Sequence, residues 1–110
     1  MPDHNGMPWT CRTEALLGAD VMQRLRESRV AVAGLGGVGG AVLVTLVRMG
    51  IGRFTIGDPG EFDPPDLNRQ WAATRNTLGQ NKTEAYKQFI ESVNPDAKVT
   101  AFSEGLTEEN

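Results

Sequence analysis

The stretch Val30-Ala31-Val32-Ala33-Gly34-Leu35-Gly36-Gly37-Val38-Gly39-Gly40 decides the fold. Val30 to Val47 carries no charge and is long enough to be weighed as a membrane span. Five glycines within the seven residues Gly34 to Gly40 argue against one continuous helix. They divide the run into a short strand over Arg29 to Ala33, a tight turn, and an apolar helix over Gly39 to Met49 that ends at Gly50. A second strand is predicted over Arg53 to Gly57. Neither strand alternates polar and apolar residues, a pattern that suits parallel strands covered on both faces, with the helix between them as the crossover. The fold class is α/β.

Outward from this unit, Thr13 to Ser28 reads as a helix. Leu16, Leu17, Val21, Met22 and Leu25 supply its apolar positions, Gly18 interrupts it, and Asp20 is placed to cap its second part. Downstream, Pro59, Gly60, Pro64 and Pro65 make Asp58 to Asp66 a loop, followed by a short helical turn within Leu67 to Ala73. Asn81 or Thr83 caps a helix through Ser92, whose Ala85, Tyr86, Phe89, Ile90 and Val93 form one apolar stripe before Asn94-Pro95 stops it. Lys98 to Phe102 is a third strand, and Thr107 with Glu108 and Glu109 looks like the capped start of another helix.

The whole sequence is 110 residues with 39% hydrophobic content, one domain's worth of material. Eleven basic and 14 acidic residues give a net charge of -3 with no like-charge run, so no footprint for nucleic acid is expected. Residues 1–11 read as a flexible leader: they contain His4 but no basic-then-apolar secretory signal. The single Cys11 can form neither an internal disulfide nor a metal clip, and no metal ligand set is expected within the chain. These features point to a cytoplasmic protein that does not cross a membrane.

Chemistry enters with Gly34-Leu35-Gly36-Gly37-Val38-Gly39, a G-x-G-x-x-G between predicted strand and helix, with Asp58 ending the next strand. Small residues let the backbone approach a phosphate at a helix N-terminus, and a carboxylate there can accept ribose hydroxyls. That fingerprint serves an NAD-dependent oxidoreductase and an ATP-using enzyme equally well. Asp66-Leu67-Asn68-Arg69-Gln70 and Leu78-Gly79-Gln80-Asn81-Lys82 then add an arginine and a lysine beyond the ribose acid. Two cations suit a polyphosphate better than a nicotinamide: Arg69 as a fork, Lys82 as a point charge.

From about Arg12 onward the sequence resembles the ThiF/MoeB/HesA family, bacterial relatives of ubiquitin-activating enzymes. Ser28-Arg29-Val30 leading into the glycine motif carries the resemblance, with Gly50-Ile51-Gly52, Asp58, Leu67-Asn68-Arg69-Gln70, Leu78-Gly79-Gln80 with Lys82, and Val93-Asn94-Pro95. It implies a Rossmann-like, three-layer α/β fold with a mostly parallel sheet, of which residues 12–110 form the N-terminal half. It further implies ATP with Mg2+, and an adenylyltransferase that converts a carboxylate, typically the C-terminal glycine of a ubiquitin-like or sulfur-carrier protein, into an acyl adenylate. Carried over, Gly34, Gly36, Gly37 and Gly39 line the nucleotide turn and Asp58 holds the ribose. Asp66, Asn68 and Gln70 belong to the binding block, and Arg69 and Lys82 engage the triphosphate. Arg12 is similar to the family's N-terminal arginine, which reaches the site of the other subunit in a homodimer. Asp66 stands where the family usually has asparagine, placing a negative charge near the expected phosphates unless a cation intervenes. The magnesium-binding aspartate of the family has no counterpart here. An oxidoreductase domain or a non-catalytic nucleotide-binding module are the alternatives.

Overall fold

The computed structural model describes residues 8–110; His4 and most of the expected leader lie outside the described residues. Helix α1 (Cys11–Leu17) and helix α2 (Ala19–Glu27) precede strand β1 (Arg29–Ala33), helix α3 (Gly37–Arg48) and strand β2 (Arg53–Gly57). A short 3-10 helix (Pro64–Asn68), helix α4 (Lys82–Val93) and strand β3 (Lys98–Phe102) complete the order. All pairing in the sheet is parallel in the order β1-β2-β3, with Val32 beside Ile56 and Ile56 beside Ala101. The three strands have the predicted bounds.

Alternate residues face the helices. Val32, Phe54 and Ile56 pack with Leu43, Val44 and Val47 of α3 and with Ala85, Tyr86 and Ile90 of α4 in one core. Phe54, Ile56, Leu43, Tyr86 and Ile90 are fully buried, each contributing roughly 1.5–3 kcal/mol of apolar burial. Helices α3 and α4 touch each other, so both crossovers lie on one face of the sheet. Coverage on both faces, expected from the apolar strands, is therefore met on one face among the described residues. On the other, Ala31, Ala33 and Thr100 are exposed. The physical reason is directional: strands laid down in one direction with the same crossover hand put successive helices on the same side.

Local expectations also shift. Gly18, at φ 92°, divides α1 from α2 and is itself the N-cap of α2, which has no side-chain cap, so Asp20 lies in the first turn and does not cap. Helix α3 begins at Gly37, two residues before the predicted start, because the glycine turn tightens straight into helix. The helical turn predicted within Leu67 to Ala73 falls instead at Pro64–Asn68, where the prolines open it, since a missing N–H costs nothing in a first turn. Leu16, Leu17 and Val21 are exposed at 83%, 41% and 40%, so only Met22 of the first apolar pattern is buried. Thr107 Oγ1 accepts from the Glu109 N–H at 3.2 Å, the expected capping contact, in a turn with no helix formed. No helix among the described residues is long and apolar enough to cross a membrane.

Candidate functional site

At the C-terminal end of β1 the chain turns at Gly34, whose φ of 92° favours glycine. Its N–H donates to the Gly57 carbonyl at 2.8 Å, tying the turn to the end of β2. Gly39 packs against the Gly34 carbonyl and Gly40 against the Tyr86 hydroxyl, so closely that a Cβ at either position would overlap its neighbour. A Cβ at Gly36 would meet nothing, which leaves open space at the head of α3. The four motif glycines thus divide into turn, opening and packing positions. Gly40, outside the G-x-G-x-x-G pattern, is as tightly constrained as Gly39.

Asp58 follows β2 and binds both neighbouring loops. Its Oδ2 accepts the Leu35 N–H at 2.6 Å and its Oδ1 accepts the Gly60 N–H at 2.7 Å. The predicted ribose acid is thereby fixed beside the glycine turn, and it holds that turn to the following loop. Asn81 supports the same junction. Its Nδ2 donates to the carbonyls of Asp58 (3.3 Å) and Gly60 (3.2 Å), while its Oδ1 accepts the Thr83 N–H at 2.9 Å as the cap of α4. The sequence marks Asn81 as a cap; its hold on the loop depends on a long-range approach that no local pattern encodes.

Arg69 reaches this turn from the 3-10 helix. Its side chain lies over Gly37, with Cγ at 3.5 Å and Nε at 3.7 Å from a Cβ built there. Its Nη1 donates to Asn68 Oδ1 at 2.9 Å and to the Pro65 carbonyl at 3.2 Å, so Asn68 orients the fork. Lys82, at the start of α4, sits 5.8 Å over the buried Phe62 ring, with its Nζ 3.9 Å from Asp66 Oδ2. The cation that the Asp66 substitution requires is Lys82. Gln70 is buried and its Oε1 has no hydrogen-bond partner, a free acceptor in the block. Beneath the site, burial pushes the Tyr86 phenol above its ordinary value, against the lowering pull of backbone groups at Ala72 and Trp71.

The structure therefore gathers the glycine turn, Asp58, the Asp66 to Gln70 block and Lys82 around the C-terminal ends of the parallel strands, where open α/β sheets bind ligands. Arg12 is not among them. It sits exposed near the start of α1, beside Thr10, which lines a concavity of about 560 Å³ with Arg26, Arg29, Arg53 and Lys98 at the opposite end of the strands. No group of three His, Cys, Asp or Glu suited to a metal occurs among the described residues. The groups fit a polyphosphate nucleotide: an open glycine turn at a helix N-terminus, an acid beside it, one cation over Gly37 and a second near the acid.

Fold and site together define an α/β protein of the adenylating-enzyme type of architecture. The chain matches the ThiF family over residues 11–110, and it belongs to that family. It is 38% identical over 98 residues to the tRNA threonylcarbamoyladenosine dehydratase of Bacillus subtilis, covering 89% of this chain and 39% of that protein. Ubiquitin-like modifier-activating enzyme 7 of Mus musculus is 33% identical over 94 residues, covering 86% of this chain and 10% of its own length. Among solved structures, the Escherichia coli tRNA N6-threonylcarbamoyladenosine dehydratase TcdA in complex with ATP aligns at a TM-score of 0.89 and 29% identity, covering all of this chain and 45% of that one. The chain thus spans about two fifths of the bacterial relative's length.

Proposed function

We propose that this chain is the ATP-binding portion of an adenylyltransferase that activates a carboxylate. The observation that carries the reading is the convergence of Arg69 over Gly37 with Lys82 near Asp58, two cations beyond a glycine turn. Arg69 and Lys82 hold the β- and γ-phosphates, Asp58 takes the ribose hydroxyls, and Gly34, Gly36, Gly37 and Gly39 allow close approach of the backbone. When bound, ATP supplies the adenylyl group: a carboxylate oxygen forms the bond to the α-phosphorus as the bond to pyrophosphate breaks. The chain's own part is charge placement, since fixed cations stabilise negative charge that shifts onto the leaving pyrophosphate. No protein nucleophile is needed, and Cys11 takes no part.

The acyl substrate follows from the kind of relative. A ubiquitin-like or sulfur-carrier C-terminus fits the modifier-activating relative. A second reading, favoured by the 38% identity to the Bacillus subtilis dehydratase, is a carboxylate borne on tRNA, which would set aside the expectation from charge that nucleic acid is no partner. Residues 12–110 would then be the nucleotide half of a larger domain, with Mg2+ held from outside these residues. A homodimer in the cytoplasm completes the proposal: exposed Leu16, Leu17 and Val21 offer an apolar face on α1 and α2, and Arg12 on α1 lies away from its own glycine turn. The test is carboxylate-dependent exchange of labelled pyrophosphate into ATP by the intact protein. Exchange with either substrate class supports adenylylation; reduction of NAD without exchange would replace it with the oxidoreductase reading.

A further inference from the structure

The two cations of the site are not equivalent. Arg69 hydrogen-bonds only neutral oxygens, Asn68 Oδ1 and the Pro65 carbonyl, and has no carboxylate within 4.0 Å among the described residues. Lys82 lies 3.9 Å from Asp66, and both side chains are only 14% exposed. The carboxylate in this pair is anchored. Asp66 Oδ2 also accepts the Asp63 N–H at 2.9 Å, and the Asp66 N–H donates back to the Asp63 carbonyl at 2.9 Å. Lys82 is confined as well, by the Phe62 ring 5.8 Å below its Nζ and by Gly60 beside its stem, where a built Cβ would lie 3.5 Å from Lys82 Cε and 2.9 Å from Asp58 Oδ1. A part-buried ammonium held between a ring and a fixed carboxylate is already compensated, and its attraction for an arriving anion is correspondingly reduced.

We propose that Asp66 is an internal stand-in for a phosphate: it occupies Lys82 in the free protein and sets the negative charge a ligand must carry to win that lysine. The inference rests on the nucleotide reading of the site and concerns its affinity for phosphate charge. Because the Asp63 N–H keeps Asp66 in place when Lys82 turns to a ligand, the carboxylate remains as a repulsive neighbour of the bound phosphates. A triphosphate can outcompete it through charge, whereas a ligand with no phosphate gains nothing from Lys82. Asp66 is thus a positioning residue that acts through Lys82 and lowers the site's affinity for polyphosphates while leaving its affinity for the bare nucleoside unchanged.

The test is calorimetric titration of the intact protein, without added divalent metal, with ATP and with adenosine. Asp66→Asn keeps an oxygen to accept the Asp63 N–H but removes the charge; Asp66→Ser, another capping residue, serves as a second variant should the first not fold. Both are expected to bind ATP roughly tenfold more tightly with adenosine affinity unchanged, and the gain is expected to fall below about twofold in a Lys82→Gln background. A general loosening of the loop would move adenosine too, and would persist without the lysine. Unchanged or weaker ATP binding in the Asp66 variants, with ATP bound by the wild type, overturns the inference and leaves the nucleotide site standing. Absence of ATP binding in the wild type and every variant overturns both.

Discussion

At the scale of single residues, the site separates groups that build it from groups that await a ligand. Asp58 does the building: both of its oxygens are engaged, by Leu35 and by Gly60. Asp58→Ala is therefore expected to cost roughly 2–3 kcal/mol of stability through two charge-assisted hydrogen bonds, besides any loss of ribose binding. Chemical denaturation without nucleotide checks this, and an unchanged midpoint would contradict the bridging role. Arg69 behaves differently, because its exposed side chain bonds only to neighbours within the same turn. Arg69→Ala should leave the denaturation midpoint nearly unchanged, Lys82→Ala should lower it by leaving Asp66 uncompensated, and each should weaken ATP binding by about 1.5–3 kcal/mol, roughly ten- to a hundredfold. That a fork, a point charge and an acid gather at the glycine turn was legible in the sequence from their order after it. Their partners were not. That Asp66 meets Lys82 across 16 positions depends on where the 3-10 helix and α4 come to rest.

At the scale of elements, strands were read to the residue because an apolar run bounded by charge and glycine fixes both ends: Arg29 and Arg53 start β1 and β2, and Gly34 and Gly57 close them. Helix starts were harder. The entry into α3 is set by glycines with no side chain to cap, and Pro64 and Pro65, read as breakers, begin the 3-10 helix. The contact between α3 and α4 was equally hidden, and it yields a sharp prediction. Gly40 faces the Tyr86 hydroxyl, so Gly40→Ala is expected to destabilise the protein by roughly 1–3 kcal/mol through overpacking. Tyr86→Phe should relieve part of that cost, since the nearest atom goes but Cζ stays within 2.8 Å of the new methyl. A double-mutant cycle measures the coupling, and strict additivity would show that the two helices do not meet at this point.

At the scale of the whole molecule, a parallel sheet with helices on one face presents its ligand groups at one end and leaves Ala31, Ala33 and Thr100 open on the other face. The spacing of Leu16, Leu17, Val21, Met22 and Leu25 predicts one helix over Thr13 to Ser28, yet Leu16, Leu17 and Val21 are exposed, because an apolar pattern says that a face seeks cover without saying what supplies it. On the proposed reading, neutralisation of a triphosphate rests on Arg69 and Lys82, and no cluster of metal ligands occurs among the described residues. Residues 1–110 alone are accordingly expected to bind ATP weakly and to give no carboxylate-dependent pyrophosphate exchange, which the exchange assay checks directly. The central claim, that the glycine turn and its two cations form a polyphosphate site and not a nicotinamide site, is tested most directly by titrating the intact protein with ATP and with NAD in a calorimeter. The account predicts tighter binding of ATP than of NAD, with most of the ATP affinity lost in Lys82→Ala; tighter binding of NAD, unaffected by that substitution, would contradict it.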